Sequence, residues 1–341
     1  MKKLRVMMLM HTEFVPPEDL TDKNDPRMEK VRTEYDVKKA LLALGHEVKI
    51  VAVEDEVRPI RQVIEDWKPH VAFNLMEAFA NKGDWDYYIV SYLNMLKVPC
   101  TGCNSRGMLL SRDKALSKKL LHYHRIKVPE FRVFYWGKKI KPGKVKKLPY
   151  PMIVKSLTEQ GSVAIAQASF VNNEEELRQR VAQVHEMTGD HAIAEQYIGG
   201  RELYVTVMGN TRLKVLPVRE LVFDKVDENK PRIATYQVKW NKEYRKRWGI
   251  EYQFARNLPE GIPEYIERLA KRIYRILGLS SYARIDLRLS KDGEIFVLEA
   301  NPNAGIARDE DVIFSAKKAG LSYEAFIQKI LNLAISSNVH E

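Results

Sequence analysis

Asp286, Glu299 and Asn301 are oxygen-bearing side chains in a stretch that folds back on itself, and together they can hold a hard metal ion. The stretch runs Tyr282-Ala-Arg-Ile-Asp-Leu-Arg-Leu-Ser-Lys-Asp-Gly-Glu-Ile-Phe-Val-Leu-Glu-Ala-Asn301. Asp292-Gly293 supplies the positive φ angles of a tight turn, which predicts a β-hairpin. A two-residue loop there pairs Lys291 with Glu294, Asp286 with Glu299 and Arg284 with Asn301, and residues directly opposite share a face. One face then carries Ile285, Leu287, Leu289, Phe296, Leu298 and Ala300. The other carries Arg284, Asp286, Arg288, Glu299 and Asn301, with Val297 its one apolar member. Facing carboxylates repel unless a cation joins them. Asp, Glu and Asn offer only oxygen, which suits magnesium, an ion commonly shared with phosphate. The competing explanation is that Arg284 and Arg288 neutralise the acids without any metal.

Other segments carry phosphate chemistry. Lys155 ends the apolar run Tyr150-Pro-Met-Ile-Val-Lys155, and a loop with Gly161, Ser162 and Val163 follows. A strand lysine beside backbone-rich loop N–H groups can grip a triphosphate, although the Walker pattern is absent. A lid over Gln160 to Ala164 is expected to be mobile without nucleotide and ordered with it. Ala192-Ile-Ala-Glu-Gln-Tyr-Ile198 is an apolar strand leading into Gly199-Gly200-Arg201-Glu202. Such a connector can offer a base one backbone N–H and one C=O, with a carboxylate beyond for ribose hydroxyls. A plain strand and loop explains it equally.

The elements that must position these groups follow from periodicity. Strands are predicted over 4–10, 47–53 and 70–75, with helices over 27–44 and 59–67 between them, an open α/β alternation. A helix over 87–96 and a short strand over 98–100 complete this unit. Next come a helix over 113–122, an extended segment over 131–135, the strand ending at Lys155, and a helix over 174–187 capped by Asn173 in an Asn-x-x-Glu box. Strands over 192–197 and 203–207, a helix over 263–277, the hairpin and a helix over 323–334 close the chain. The boundaries read as an N-terminal α/β domain over 1–104, a central unit over 105–190 and a C-terminal unit over 191–341. The fold class is α/β, with α+β character in the C-terminal part.

A chain of 341 residues with 45% hydrophobic and 30% charged residues has the composition of a soluble globular protein with more than one core. No apolar run reaches membrane-span length. The start Met-Lys-Lys-Leu-Arg-Val-Met-Met-Leu-Met is basic like a signal peptide, but its apolar run stops at His11 without a small-residue cleavage site. It reads as a first strand, and the protein as cytoplasmic. The net charge of +11 permits a polyphosphate partner. Basic clusters at Lys138 to Lys147 and Lys239 to Arg247 lack the interleaved aromatics of a nucleic-acid module, so none is expected as partner. Cys100 and Cys103 are the only cysteines and read as reduced structural thiols.

In this order the motifs resemble the ATP-grasp superfamily, most closely the D-alanine–D-alanine ligase family. The resemblance rests on Val98-Pro-Cys-Thr-Gly, Ser111-Arg-Asp-Lys-Ala-Leu-Ser-Lys118, Pro151-Met-Ile-Val-Lys-Ser with Gln160-Gly-Ser-Val-Ala, and Glu195-Gln-Tyr-Ile-Gly-Gly-Arg-Glu202. It rests further on Tyr236-Gln-Val-Lys-Trp, Ala283-Arg-Ile-Asp286 and Glu299-Ala-Asn301. It implies an ATP-grasp fold behind an N-terminal open α/β preATP-grasp domain. Lys114 and Lys155 would bind ATP phosphates, with Gly161, Ser162 and Val163 in the lid. Glu195, Gln196 and Ile198 would meet adenine, and Glu202 the ribose. Lys239 would reach the γ-phosphate. Asp286, Glu299 and Asn301 would hold a pair of Mg2+ ions, for which Mn2+ can substitute. Arg284 would stabilise the transition state and the Gly305 backbone would help form an oxyanion site.

The segments where the family binds its substrates differ. After strand one the chain reads Met10-His-Thr-Glu-Phe-Val-Pro-Pro-Glu, without the family's glycines or Glu-His pair. After the metal ligands it reads Asn301-Pro-Asn-Ala-Gly-Ile-Ala-Arg-Asp-Glu-Asp311. The resemblance therefore implies an ATP-dependent carboxylate–amine ligase acting through an acyl phosphate on a small amino acid or peptide, with altered substrate groups. Glu13 and Asp309 are the candidates for reading a larger or more cationic substrate. An ATP-grasp kinase and a non-catalytic nucleotide-binding module remain open, and a homodimer is compatible with the chain.

Overall fold

The structure is a computed structural model that describes residues 3–22, 25–140, 145, 148–159, 165–227 and 230–337. The lid residues Gly161, Ser162 and Val163 and much of the basic segment 138–147 lie outside the described residues.

The N-terminal unit runs β1 (Arg5–His11), α1 (Arg27–Ala43), β2 (Glu47–Val53), α2 (Arg58–Trp67), β3 (Val71–Asn74) and α3 (Asp86–Met95). Its strands form a parallel sheet in the order β2-β1-β3. Val6, Met8 and Met10 pack in one core with Val37 and Leu41 of α1, while Met7 and Leu9 pack in another with Ile60 of α2 and Ile89 of α3. Burial on both faces explains why the first strand reads as an unbroken apolar run. The strand expected over 98–100 is reduced to a single bridge, Ala72 with Cys100. Burial pushes both cysteine thiols up to about 12, which leaves them inert at neutral pH.

Two helices follow, α4 (Ser105–Arg112) and α5 (Lys114–Tyr123). Periodicity gives no sign of α4, and a single cap starts it: Asn104 Oδ1 accepts from the Gly107 N–H at 2.8 Å. Asp113 caps α5 in the same way.

The central unit holds β4 (Phe131–Phe134), β5 (Met152–Ser156), β6 (Phe170–Val171), α6 (Glu174–Thr188) and β7 (Ala192–Gln196). The sheet order is β4-β7-β5-β6, so this unit extends past residue 190 to take in β7. Asn173 Oδ1 accepts from the Glu176 N–H at 3.0 Å, and the Glu176 carboxylate accepts from the Asn172 N–H at 2.8 Å and from the Asn173 side-chain amide at 2.7 Å rather than from the Asn173 backbone N–H.

The C-terminal unit is β8 (Arg201–Met208), β9 (Lys214–Val215), β10 (Arg219–Phe223), α7 (Tyr236–Trp240), α8 (Lys242–Trp248), β11 (Ile250–Phe254), α9 (Ile262–Ile276), β12 (Tyr282–Leu289), β13 (Ile295–Pro302), α10 (Asp311–Lys318) and α11 (Tyr323–Ser337). Its sheet runs β11-β10-β8-β12-β13, with β9 against β8. Ile266, Leu269 and Ile273 of α9 share a core with Leu203, Val205, Ile285 and Leu287. The last helix belongs elsewhere: Phe326, Ile327 and Leu331 pack with Met8, Met10 and Phe73 of the N-terminal sheet.

The hairpin departs from its expected form twice. Ser290 donates its N–H to the Glu294 carbonyl at 2.8 Å and Gly293 donates to Ser290 at 3.1 Å, so the loop is Lys291-Asp292-Gly293. Gly293 takes the left-handed φ of 79° that this loop requires. A bulge between Asp286 and Leu287 then sets Leu287 opposite Val297 and leaves Leu298 as the extra residue. The two departures cancel, and Asp286 still faces Glu299 while Arg284 faces Asn301. Val297 and Ile295 therefore join the apolar core, contrary to the two-residue-loop reading.

Candidate active site

Asp286 and Glu299 stand side by side on β12 and β13, and their environments push them in opposite directions. Arg284, on the same face of β12, grips Asp286 with Nε to Oδ1 at 2.7 Å and Nη2 to Oδ2 at 2.9 Å. Burial nevertheless pushes the Asp286 carboxyl up to about 6, with Arg284 pulling against it. At Glu299 burial is outweighed by the Lys155, Lys114 and Lys239 ammonium groups, and the carboxyl lies well below its usual range. The Asn301 amide sits between the two, with Nδ2 at 3.1 Å from Asp286 and 3.4 Å from Glu299. Rotating that amide would present its oxygen instead. Among the described residues no group of three or more His, Cys, Asp or Glu could hold a metal. A divalent ion here would have two carboxylates and one amide oxygen, and phosphate or water must complete its shell. That incomplete all-oxygen set fits magnesium.

Lysines crowd the other side. Glu195 on β7 is buried between Lys155 Nζ and Lys118 Nζ, each at 3.1 Å, and Lys155 lies 3.7 Å from Glu299. The β5–β7 register causes this: Ile153 faces Glu195 and Lys155 faces Ile193, so Lys155 meets Glu195 on the diagonal of one face. Burial raises Glu195 toward neutrality, but Lys118 and Lys155 outweigh it and keep it ionised. Burial pulls the Lys155 ammonium down, and Glu195 and Glu299 more than restore it. Lys118 closes the Ser111–Lys118 motif, which by itself gives it no role. It is buried, and it also donates to the Leu298 carbonyl at the β13 bulge. The available signal was its spacing from Lys114, four residues along one helix face. Lys114 itself donates to the Glu159 carbonyl at 2.5 Å and the Leu157 carbonyl at 3.4 Å, holding the residues that follow β5. Burial pulls it down to about 8.

These groups open on a cleft between the central and C-terminal sheets. Ile153, Ile165, Ile198, Ile233 and Leu298 line its apolar part. The Gln196 and Tyr197 N–H groups are taken by the Glu130 and Pro151 carbonyls at 2.7 and 2.9 Å. Among the described residues the Ile198 N–H has no such partner, so it can face a base. Glu202 also lines the cleft, but Arg288 Nη2 at 2.7 Å and the Tyr204 hydroxyl at 2.7 Å occupy its oxygens. Lys239 is on α7, whose first N–H donates to the Ile165 carbonyl at 3.0 Å, coupling that helix to the segment after the lid. Around the cleft stand Lys114, Lys118, Lys155, Lys239, Arg284 and Arg288, six cations against the carboxylates Glu195, Glu202, Asp286 and Glu299. The surplus positive charge suits a polyanion.

Gly305 is exposed in the loop after β13. Glu13 and Asp309 lie away from the cleft lining. Each is exposed and pairs with α1: Glu13 with Lys30 at 3.5 Å, Asp309 with Arg32 at 2.7 Å. No helix among the described residues is long and apolar enough to cross a membrane.

Comparison with known proteins agrees with this geometry. Residues 121–332 match the family described as D-ala D-ala ligase C-terminus. An uncharacterized protein of Sinorhizobium fredii is 29% identical over 273 residues, covering 77% of this chain and 74% of that one. A D-alanine--D-alanine ligase of Desulforudis audaxviator is 27% identical over 296 residues, covering 86% and 90%. The crystal structure of D-alanine--D-alanine ligase from Bacillus anthracis complexed with ATP superposes with a TM-score of 0.74 at 20% identity, covering 98% of this chain and 99% of that one. With that family match, the same fold along its length and a cationic cleft facing paired carboxylates, the chain belongs to the D-alanine–D-alanine ligase family and is an ATP-dependent ATP-grasp ligase that forms C–N bonds.

Proposed function

We propose that this chain joins an amino-acid or peptide carboxylate to an amine through an acyl phosphate, with Mg-ATP as phosphoryl donor. The observation that carries the reading is the pairing of Asp286 with Glu299 and Asn301 beside Lys155, Lys114 and Lys239. Magnesium, held by Asp286, Glu299 and Asn301, would supply charge neutralisation at the transferring phosphoryl group. Lys114 and Lys155 bind the phosphates, Lys239 reaches the γ-phosphate, and the 195–198 connector receives adenine with Glu202 at the ribose. Arg284, fixed by Asp286, and the Gly305 N–H bear the developing charge when the amine attacks. Relatives named D-alanine--D-alanine ligase make D-alanine the first donor to test. The departures after β1 and β13 favour a different acceptor, with Glu13 and Asp309, which lie outside the cleft lining, as candidates to meet the part of it that extends beyond the cleft. A cytoplasmic location accords with ATP as substrate.

Glu299→Gln tests the site. The variant should fold and bind ATP but lose about a hundredfold or more of its ATP-dependent phosphate release with a carboxylate–amine panel. Wild-type turnover in that variant would remove Glu299 from the metal site. Phosphate retained on the product rather than released would make the protein a kinase.

A further inference from the structure

The acidic run Asp309-Glu310-Asp311 is not uniform. Asp309 pairs with Arg32 at 2.7 Å and Asp311 with Arg219 at 3.0 Å. Among the described residues Glu310, between them, has neither an ion pair nor a side-chain hydrogen bond. Its backbone is held firmly: its N–H donates to Ala307 at 3.0 Å and its carbonyl accepts from Ile313 and Phe314, each at 3.0 Å. Glu310 is the N-cap of α10, where a side chain ordinarily turns back onto the helix's own N–H groups. It makes no such bond. The side chain extends over Gly305 instead. A Cβ placed on Gly305 would stand 3.1 Å from Glu310 Cδ and 3.3 Å from Oε1, so the carboxylate rests against the loop that leaves the metal strand. The charges acting on Glu310 are those of Arg284, Asp311, Asp309 and Lys239. Arg284 and Lys239 are the groups placed at the transition state and the γ-phosphate. A carboxylate without a partner among the described residues therefore rests against Gly305 within electrostatic reach of Arg284 and Lys239, on the side where the reacting carbonyl would lie.

We infer that Glu310 receives the amine substrate, binding its ammonium group and taking its proton before attack. This rests on the ligase reading. One N–H proton passes from the ammonium to a Glu310 oxygen. The freed lone pair forms the C–N bond at the acyl phosphate carbonyl, the C–O bond to phosphate breaks, and the second N–H proton passes to the departing phosphate, which leaves as hydrogen phosphate. The proton passes from Glu310 to solvent as the amide departs. Burial raises the Glu310 carboxyl, with Arg284 opposing it, and so brings its basicity closer to the working pH. The same placement disfavours an acceptor that would bring a carboxylate against Glu310, and favours one whose only charge there is cationic.

The test separates the two chemical steps. Hydroxylamine is neutral near pH 7 and traps an acyl phosphate as a hydroxamate without needing a base. Wild type and Glu310→Gln are assayed with Mg-ATP, a donor panel of D- and L-amino acids, and either hydroxylamine or an amine panel including D-alanine, methyl esters and diamines. In Glu310→Gln hydroxamate formation should persist, showing a folded enzyme that activates the carboxylate. Amide formation should fall about a hundredfold and recover as the pH rises and free amine accumulates. Amide formation within about threefold of wild type, loss of both products together, or a wild type that makes hydroxamate but no amide would each overturn the assignment. No hydroxamate and no amide from wild type with any donor would instead reject the ligase reading beneath it.

Discussion

Lys118 shows how much one buried side chain can hold. Its ammonium joins Glu195 of β7 to the Leu298 carbonyl at the bulge that keeps Asp286 opposite Glu299. Burial pulls its proton affinity down, and Glu195 acts against that. Removing one member of a buried pair leaves an uncompensated charge, which costs far more than the pair contributes. Lys118→Met should lower unfolding free energy by about 3–5 kcal/mol in urea titrations. Adding Glu195→Gln should then cost less than its effect alone, because the orphaned carboxylate is gone. Full additivity of the two changes would show that they do not act as a pair.

Among the elements, the tie between the end of β5 and the start of β7 depends on Asp190. Its Oδ2 accepts from Ser156 Oγ at 2.6 Å, Thr158 N–H at 2.8 Å and Thr158 Oγ1 at 3.0 Å, fastening the end of β5 to the start of β7. Lys114 binds the Leu157 and Glu159 carbonyls in the same few residues. Burial raises the Asp190 carboxyl, but these hydrogen bonds outweigh it and the pKa lies below the ordinary 3.8. A depressed carboxyl stabilises the fold above its unfolded pKa, and that contribution is lost as pH falls through the folded value. Asp190→Ala should cost about 2 kcal/mol near neutral pH. The gap from wild type should close as the pH drops below 3.8. A gap that stays constant into acid would mean that the loss is one of packing rather than of the carboxylate. Among the elements that periodicity does not resolve, alongside β6, β9, β10, β11, α7 and α8, are the helix α4 and the three-residue hairpin loop. Both depend on local hydrogen bonds, from Asn104 and Ser290, that no hydrophobic spacing records.

In the whole molecule, the chain closes on itself through α11. Phe326 is fully buried, with its ring 5.9 Å from Tyr282 at the head of β12 and in one core with Met8, Met10 and Phe73. Arg308 adds a polar tie, with its N–H on Asp36 of α1 at 2.9 Å and its guanidinium on Glu324 of α11 at 2.6 Å. The N-terminal sheet is therefore completed by residues from the opposite end of the chain. Phe326→Ala should destabilise by about 3–5 kcal/mol. The N-terminal sheet and the β12–β13 sheet should lose hydrogen-exchange protection together. Protection lost in the N-terminal sheet alone would indicate that α11 does not couple the two.

Much of this protein is legible in the sequence because its signals are local. Alternating and helical apolar periods mark β1, α1, β2, α6 and α9, and the order of charged motifs marks the candidate metal and phosphate groups. Asp292-Gly293 is enough to fold β12 onto β13, and the strands then bring Asp286 to Glu299 although the residue spacing signals neither the three-residue loop nor the bulge. Contacts between elements are not local, and tertiary structure alone decides them. Only the β5–β7 register places Glu195 between Lys155 and Lys118. Only the packing of α1 and β10 against the 308–311 segment takes up Asp309 and Asp311 and leaves Glu310 facing Gly305. In the sequence those three acids are alike. They differ in the folded chain because a cation reaches two of them and a glycine makes room for the third.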